Sequence, residues 1–350
     1  MQTNEDILSL LKEKGAQAAR EMQRALILQP GAIGDCILTL PLVNFMKESL
    51  CLGGVDILGH SEYLGILPGR TCVDSVRSMD SIDLHRLFIE PASFDLPDRD
   101  PLINVFADYA WIVTFLGEPN GSFEQNLIFT ANCSHSAEVI TLPLKPPEDL
   151  RQHLADFYTQ EFISQSGLSP QKTEQCQSDV MIQATQADRQ TGAQLLKEAG
   201  ANLSEKLVVM QPGSGGARKC WHLSNFLEIA KSLSSRSWQV VFLLGPAELD
   251  RFHAAELRSM GGLGILMKGL SLNEVVGILS CADVFIGNDS GVTHLAAALG
   301  VRTVAIFGPT NPTIYRPIGP ALTVIQAPVR GFTKKSSHRL QNRILAALLD

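Results

Sequence analysis

The sequence predicts an α/β protein built from two similar halves. Apolar runs with strand character alternate with helix-like segments along most of its 350 residues. An apolar run followed by Gln-Pro-Gly occurs twice, at 25–31 and at 207–213. A third segment, 284–308, has the pattern of strand, glycine turn, helix and strand, which is typical of a parallel βαβ unit. Together these observations favour two Rossmann-like domains.

Composition places the chain among folded proteins and narrows its partners. Hydrophobic residues make up 45% and charged residues 19%, and the formal net charge of −7 argues against a nucleic-acid partner. The seven cysteines are scattered without a CxxC pair, which favours reduced thiols over disulfides or zinc. Residues 1–24 are too charged for a secretory signal, and no apolar run could span a bilayer. We therefore expect a cytoplasmic protein, with room for peripheral contact with the cytoplasmic face of the inner membrane.

The first half is expected to contain a helical extension at 1–24 and a domain at 25–170. Apolar residues at helical spacing predict a helix over 5–23, and residues 118–132 are predicted to form a loop. The predicted strands, apolar runs and helices of this domain are strand 25–29, helix 35–50, strand 55–59, apolar runs at 73–76, 102–106 and 111–116, and helix 149–166.

The second half alternates more regularly. Polar residues at 169–178 predict a linker. In the predicted domain division, residues 171–204 hold the linker and the first part of the second domain, and residues 205–330 form the rest of that domain. An amphipathic helix is predicted within 331–350. The predicted elements of the second domain are strands 207–211, 238–244, 264–266, 283–287 and 302–307, and helices 223–235, 247–258, 272–281 and 291–299.

Polar residues follow the strand that ends near Gly287. They are Asp289, Ser290, Gly291 and, one turn into the following helix, His294. Loops after parallel strands lie at the carboxyl edge of the sheet, where open α/β folds bind ligands. A helix that starts near Ser290 would direct free N–H groups and its positive dipole end at a ligand. This predicts an anion site suited to a nucleotide diphosphate, although a lone histidine such as His294 is often structural.

The second Gln-Pro-Gly leads into another glycine-rich loop. Gly213, Gly215 and Gly216 would let backbone N–H groups converge on an anion, and Lys219 adds a positive charge. The loop is neither a P-loop nor a GxGxxG motif. A plain flexible surface turn is the alternative interpretation. Trp221 is expected to be a packing anchor.

Three groups of carboxylates leave alternatives open. Asp35 follows the first strand and is either the N-cap of its helix or a general base. Glu248 is either a ligand for ribose hydroxyls or a solvated glutamate in the first turn of a helix. Asp98-Arg99-Asp100 has the DxD pattern of metal-dependent sugar transfer, but it lies between prolines and is expected to be a solvated loop.

These motifs together resemble glycosyltransferase family 9, the ADP-heptose:lipopolysaccharide heptosyltransferases. The resemblance is strong over 205–312, good over 25–50 and weak between 60 and 200. The motifs that carry it are Gly34-Asp35; Pro212-Gly213-Ser214 with Lys219 and Trp221; Asp289-Ser290-Gly291 with His294; Ala296–Gly300; and Phe307-Gly308-Pro309-Thr310.

The resemblance implies a GT-B fold, with two Rossmann-like domains facing across a cleft. The second domain would bind the donor and the first the acceptor. It also implies an inverting, metal-independent transfer of a heptose or similar sugar from ADP-heptose to a lipopolysaccharide-core or related glycan, without a cofactor.

The same resemblance assigns roles to individual residues. Asp35 would be the general base. The donor residues would be Ser214, Lys219, Ser290, Gly291 and His294 at the diphosphate, Gly215 in the same loop, Asp289 at the sugar or phosphate end, Glu248 at the ribose and Leu270 at the adenine.

Two other functions compete with sugar transfer. Two Rossmann-like halves would suit an NAD-dependent oxidoreductase, but neither opening strand is followed by GxGxxG. A nucleotide-binding homologue that has lost transfer is the other alternative, and the joint presence of Asp35, Lys219, Asp289 and His294 argues against it.

Overall fold

Two parallel sheets, each at the centre of its own unit, organise the protein. The computed structural model describes residues 23–168, 180–334 and 338–349. Within these ranges the first unit comprises 23–32, 39–150 and 155–168, and the second comprises 33–38, 151–154 and the described residues from 180 onward. The predicted α/β class with two Rossmann-like domains is confirmed. The predicted linker at 169–178 and nearly all of the predicted N-terminal helix lie outside the described residues.

The sheet of the first unit has the strand order β3-β2-β1-β4-β5, and every pair is parallel. Its strands are β1 (Arg24–Gln29), β2 (Gly54–Gly59), β3 (Ser75–Ser78), β4 (Trp111–Thr114) and β5 (Glu138–Thr141). The central strand β1 is apolar on both faces, since residues 25–28 are fully buried. The chain order reverses between β1 and β4, so this sheet has a topological switch point there.

The sheet of the second unit has the order β11-β10-β9-β6-β7-β8 and is also entirely parallel. Its strands are β6 (Leu207–Gln211), β7 (Gln239–Leu244), β8 (Ile265–Lys268), β9 (Val284–Asn288), β10 (Arg302–Phe307) and β11 (Leu322–Gln326). The chain order reverses between β6 and β9, which pair from Val208↔Val284 to Gln211↔Gly287. The loops that follow β6 and β9 therefore begin side by side.

Helices connect the strands in both units. Across the described residues they are α1 (Ile33–Ser49), α2 (Ser61–Leu64), α3 (Pro101–Phe106), α4 (Ser122–Ala131), α5 (Leu154–Ser166), α6 (Gln186–Glu198), α7 (Leu223–Ser234), α8 (Pro246–Arg251), α9 (Ala254–Gly261), α10 (Leu272–Ser280), α11 (Gly291–Ala298), α12 (Pro312–Tyr315) and α13 (His338–Leu349). The C-terminal helix α13 was predicted from its amphipathic pattern. It places Leu340, Ile344 and Leu348 in the apolar core of the second unit.

Several elements differ from the sequence prediction. The apolar run 102–106 is the helix α3, because Asp100 caps it and Pro101 occupies its first turn. The predicted loop 118–132 contains the helix α4. The glycines and the proline just before this helix indicated a loop, so the start of the helix was not predicted. The predicted helix 247–258 is two helices, since His253 adopts extended backbone and begins α9 in a capping box with Glu256. Strands β5 and β11 were not anticipated.

Two glycines determine how closely α6 and α10 pack in the second unit. A Cβ on Gly192 would lie 2.1 Å from the carbonyl carbon of Gly277, and one on Gly277 would lie 2.6 Å from the carbonyl oxygen of Asp188. These are backbone atoms that cannot rotate away. The two helices therefore pack backbone to backbone, and neither position has room for a methyl group.

We expect Gly192→Ala to lower the free energy of unfolding by about 1–3 kcal/mol, because the new methyl group forces α6 away from α10. Gly262→Ala is the matched control: Gly262 follows α9 with a negative φ, and its Cβ would meet only ordinary contacts at 3.5 Å or more. That control should be neutral or slightly stabilising. Urea unfolding of both variants measures the difference, and equal midpoints would contradict the packing described here.

Candidate functional site

The predicted donor residues all follow strands at the carboxyl edge of the second sheet. Ser214, Gly215 and Lys219 follow β6, and Glu248 lies in α8 after β7. Leu270 lies in sequence between β8 and Ser271, the N-cap of α10, and its side chain is half-buried. The four predicted residues that follow β9 are Asp289, Ser290, Gly291 and His294. Because β6 and β9 flank the switch point, the residues after these two strands are the ones that contact each other.

Asn288, the last residue of β9, fastens the glycine loop to the sheet. Its side-chain carbonyl accepts a hydrogen bond from the backbone N–H of Trp221 at 2.9 Å. Its amide donates to the carbonyl oxygens of Pro212 at 2.9 Å and Gly213 at 3.1 Å. Asn288 is fully buried, so these bonds are shielded from water. The sequence analysis gave Asn288 no role.

The two serines of the predicted site hold the loops in place. The Ser214 hydroxyl donates to the backbone carbonyl of Asp289 at 2.7 Å. The Ser290 hydroxyl donates to Gln211 Oε1 at 2.7 Å and accepts from the backbone N–H of Thr293, so it caps α11. Both hydroxyl protons are thus directed into the protein. The free N–H groups of the first turn of α11 remain the donors that suit an anion.

Lys219 and Asp289 form an ion pair. Lys219 ends a short 3₁₀ turn in the glycine loop, and its Nζ lies 2.8 Å from Asp289 Oδ2. The carboxylate side chain is only 6% exposed, whereas the lysine side chain is 43% exposed. The ammonium group therefore reaches from solvent over a buried carboxylate, and it is the solvent-exposed partner of the pair.

His294 is a buried and neutral histidine. Its Nε2 lies 4.0 Å from Asp289 Oδ1. Burial lowers the pKa of His294 to about 4, and the nearby Asp289 carboxylate only partly offsets this effect. Within the part of the chain that the structure describes, its Nδ1 has no hydrogen-bond partner. At neutral pH the ring is therefore uncharged and could donate one hydrogen bond to an anion, but it adds no positive charge.

Glu248 is buried, so the solvated-glutamate interpretation was wrong. Its Oε2 accepts from the backbone N–H of Gly245 at 2.8 Å, and burial raises its pKa. Gln211 Nε2 lies 3.5 Å from Glu248 Oε1. A Cβ on Gly213 would lie 1.8 Å from that same oxygen, so position 213 has to be glycine while Glu248 keeps this place.

The glycine loop is only partly a surface turn. Gly213 and Ser214 are buried, whereas residues 215–218 are exposed. Both terminal guanidinium nitrogens of Arg251 donate to the carbonyl of Ser214 at 3.2 Å, and Nη1 lies 2.9 Å from Cys220 Sγ. The loop is thus fixed at its base and open at its tip. Sequence reasoning missed Arg251, because a basic residue in the last turn of a helix is ordinary there.

Asp35 is not at the N-cap position of its helix. The helix α1 begins at Ile33, and Asp35 lies inside the first turn. The first turn of α1 groups with the second unit: a Cβ on Gly34 would lie 3.3 Å from Cδ2 of His294, and one on Gly291 would lie 2.8 Å from Ile33 Cβ. The start of α1 therefore packs against the start of α11, where a side chain at 291 would clash with Ile33 and one at 34 would crowd the His294 ring.

Tyr315 lies near the charged groups of this edge, and the sequence analysis did not single it out. It ends α12, which follows β10 at the same sheet edge. Burial raises the pKa of its phenol, and the charges of Lys219, Asp35 and Asp289 all act on it. The only signal for it in the sequence was its position a few residues after the Phe-Gly-Pro-Thr motif.

The DxD segment has a structural role that was not predicted. Asp98 is exposed, as expected of a loop. Asp100 is buried, accepts two hydrogen bonds from Arg86 at 2.9 and 2.7 Å, and caps α3. The Arg86 guanidinium holds the pKa of Asp100 below its usual value. The solvated-loop prediction was therefore wrong for Asp100.

Three further observations concern the rest of the described chain. Trp221 is the predicted packing anchor: it is buried beside Phe226, with ring centroids 5.3 Å apart. Among the described residues, no three His, Cys, Asp or Glu side chains are grouped as metal ligands would be. The helices in the described ranges are all too short or too polar to cross a bilayer.

Comparison with known proteins identifies the family. The sequence model of glycosyltransferase family 9 (heptosyltransferase) matches residues 135–343. Lipopolysaccharide heptosyltransferase 3 of Escherichia coli is 28% identical to this chain over 120 residues, which are 33% of this chain and 35% of that protein. The matched segment thus spans about a third of the length of this curated relative.

Solved structures of low sequence identity share the fold. A glycosyl transferase of family 9 from Veillonella parvula has a TM-score of 0.68 at 16% identity, covering 93% of this chain and 97% of that chain. The E. coli ADP-heptose lps heptosyltransferase II has a TM-score of 0.67 at 16% identity, covering 93% and 99%. The GT-B class predicted from the sequence agrees with both likenesses. Since the family model matches more than half of the sequence, the chain belongs to glycosyltransferase family 9.

Proposed function

We propose that this protein is an inverting glycosyltransferase that moves a heptose, or a similar sugar, from ADP-heptose to a lipopolysaccharide-core or related glycan. The observation that carries the proposal is the carboxyl edge of the second sheet at its switch point. There the Ser214 hydroxyl bonds the glycine loop to Asp289, and Asn288 at the end of β9 bonds to Pro212, so the loop that carries Lys219 is held beside the segment that leads into α11. The ADP-heptose named for the E. coli structural relative is a donor of matching chemistry.

The diphosphate of the donor fits the groups at this edge. The first turn of α11 offers backbone N–H groups and the positive end of its dipole, and Lys219 supplies a full positive charge. The neutral imidazole of the buried His294 would donate a hydrogen bond to the diphosphate. In free protein Lys219 neutralises Asp289, and we propose that donor binding draws the ammonium toward the phosphates. Asp289 is then free to accept a hydrogen bond from the sugar.

Glu248 and Leu270 are proposed to bind the nucleoside. Glu248 lies in α8 after β7, next to the strand that carries the glycine loop, and its carboxyl group would accept hydrogen bonds from ribose hydroxyls. Leu270 follows β8, one strand further out, and would contact the adenine ring. The nucleotide would therefore extend from the switch point toward the β8 edge of the sheet.

In the transfer step, the acceptor hydroxyl oxygen attacks the anomeric carbon of the donor sugar. Asp35 takes the hydroxyl proton, the bond between the anomeric carbon and the phosphate oxygen breaks, and ADP leaves with the electron pair. Lys219 and the N–H groups of α11 stabilise the charge that develops on the leaving diphosphate. Because fixed dipoles and a lysine supply this stabilisation, the proposed mechanism uses no metal ion.

The acceptor and the location are also part of the proposal. The first unit would bind the acceptor glycan, since the second unit is committed to the donor. The glycan would be reached at the cytoplasmic face of the inner membrane by peripheral contact. Incubating the purified protein with ADP-heptose and a core glycan, and detecting ADP and a glycan heavier by one heptose, tests the function as a whole.

Asp35→Asn should lower the transfer rate by about 10²–10⁴ while ADP affinity stays within twofold, because only the base is lost. Transfer is followed by ADP release and affinity by calorimetry. Glu48→Gln, an exposed acid at the other end of the same helix, is the control and should keep full activity. Wild-type turnover of Asp35→Asn would mean that Asp35 only stabilises the first turn of α1.

Lys219→Met and His294→Gln should each weaken ADP binding about 10–100-fold and leave adenosine binding nearly unchanged, because both groups face the diphosphate. The two substitutions should couple in a double-mutant cycle, since they act on one ligand group. Lys231→Met removes an exposed lysine at the end of α7 and controls for net charge. Equal losses of affinity for ADP and for adenosine would mean that both residues have only a structural role. Thermal stabilisation of the wild-type protein by NAD, and not by ADP, would favour an oxidoreductase.

Transfer should survive excess EDTA with less than a twofold change in rate, because a lysine and helix N–H groups meet the charge that Mg²⁺ or Mn²⁺ otherwise neutralises. The measurement is ADP release before and after chelation, followed by addition of each cation. Loss of activity that either cation restores would contradict the metal-free mechanism.

A further inference from the structure

The chain that leaves β10 turns back along α11 and brings Tyr315 to the donor edge of the second sheet. β10 lies beside β9, with Ile306 paired to Asn288, so the segments that follow these two strands begin next to each other. After α12 the chain packs against α11, since a Cβ on Gly319 would lie 2.1 Å from the carbonyl oxygen of Ala297. Tyr315, the last residue of α12, therefore lies between the end of β10 and this contact with α11.

A buried histidine fixes the backbone next to Tyr315. His153 Nε2 lies 2.8 Å from the carbonyl oxygen of Arg316, and because a carbonyl only accepts, Nε2 is the donor. His153 groups with the second unit and is buried, and a charge on it would act on the ring of His294 in α11. The backbone that carries Tyr315 is thus held on the α11 side of the edge, in the neighbourhood of His294.

The phenol of Tyr315 has a hydroxyl that the fold does not use. The side chain is half-buried, and within the ranges that the structure describes its hydroxyl forms no hydrogen bond. Burial raises the pKa of the phenol, so at neutral pH the hydroxyl keeps its proton and can donate. A tyrosine in this position normally directs its hydroxyl to a polar partner, which here has to be water or a ligand.

Three charged groups surround this hydroxyl. The charge of Lys219 acts on the phenol more strongly than those of Asp35 and Asp289. In the proposed reaction Lys219 faces the diphosphate, Asp289 the sugar, and Asp35 the attacking hydroxyl of the acceptor. A group on which all three charges act lies beside the bonds that change and away from the nucleoside. The stronger effect of Lys219 places it nearer to the diphosphate than to the base.

We propose that Tyr315 is a further catalytic residue, whose hydroxyl donates a hydrogen bond to the β-phosphate of the donor, the phosphate that is bonded to the sugar. This rests on the proposed function, in which the edge holds a nucleotide diphosphate sugar. As the bond to the anomeric carbon breaks, its electron pair adds charge to this phosphate, so a fixed donor stabilises the transition state more than the bound substrate. The phenol keeps its proton throughout the step.

The test compares two nucleotides that differ only in the β-phosphate. Tyr315→Phe keeps the ring and removes the hydroxyl. It should weaken ADP binding about tenfold and leave AMP binding within twofold, because AMP lacks the phosphate that accepts the bond. With ADP-heptose as donor, kcat should fall by about a further tenfold, since the bond strengthens as charge develops. Calorimetry measures the two affinities, and ADP release measures the rate.

Thr313→Val is the matched control within the same helix. Thr313 is exposed and lies two residues before Tyr315, which is about 200° around a helix, so its hydroxyl points away from that of Tyr315. This variant should bind ADP and AMP as the wild type does. Urea unfolding of both variants should give the wild-type midpoint, which separates loss of a ligand contact from loss of structure.

A double-mutant cycle provides the second measurement. If Tyr315 and Lys219 act on the same diphosphate, the losses of ADP affinity in Tyr315→Phe and Lys219→Met should not add in the combined variant. For AMP, the cycle should show no contribution from Tyr315. Additive losses for ADP would mean that the two groups act at separate places, and the proposal would be wrong.

The remaining outcomes separate this inference from the proposed function. Equal losses for ADP and AMP in Tyr315→Phe would give the hydroxyl a structural role. Slower transfer with unchanged ADP affinity would place it at the acceptor. Either result, in a protein whose wild type transfers heptose, overturns the inference alone. A wild-type protein that neither binds ADP nor transfers heptose would remove the proposed function and this inference with it.

Discussion

Asn288 connects the end of β9 to three backbone groups of the glycine loop, and the rest of the site depends on this connection. Pro212 and Gly213 lie in the irregular loop after β6, which ends at Gln211, so the strand ladder does not satisfy their carbonyls. A buried primary amide offers two donors and one acceptor, which match the two carbonyls and the N–H of Trp221. Aspartate has the same size but would place a negative charge against both carbonyls. Asparagine is thus required by geometry and by charge.

The anchored loop determines where the charged groups lie. Once Pro212 and Trp221 are fixed to β9, the hydroxyl of Ser214 reaches the carbonyl of Asp289, and Lys219 reaches its carboxylate. The Asp289 side chain is nearly buried, and a buried carboxylate without a partner would be costly. Lys219 therefore stabilises the free protein through the group that is proposed to bind the donor. When Lys219 pairs with a bound anion, the buried carboxylate of Asp289 loses its partner and needs another. A sugar hydroxyl that donates a hydrogen bond to Asp289 would replace it.

The fold class and the donor edge could be predicted because their signals are local. Apolar runs, glycines after strands and Ser290 before a helix determine strands, turns and caps within a few residues of themselves. The short strands β5 and β11 escaped prediction, since they become strands only by pairing with β4 and β10. The burial of Asp100 likewise depends on Arg86, 14 residues away in sequence. Arg251 and Tyr315 reach the site only through the tertiary fold, so their local sequence could not identify them.

The two halves share a Gln-Pro-Gly sequence, and each glutamine is used differently. In the first unit Gln29 donates to Thr39 at 2.7 Å and accepts from the N–H of Gly31 at 2.9 Å, so it closes its own loop. In the second unit Gln211 accepts from Ser290 and lies beside Glu248, so it joins the loops of three neighbouring strands. A buried glutamine at the end of a central strand thus has enough donors and acceptors to serve either purpose. The role of each glutamine depends on the residues that follow the neighbouring strand across the switch point. Beside β6 that strand, β9, ends in Asn288 and a helix capped by a serine, and this is where the second unit can hold a diphosphate.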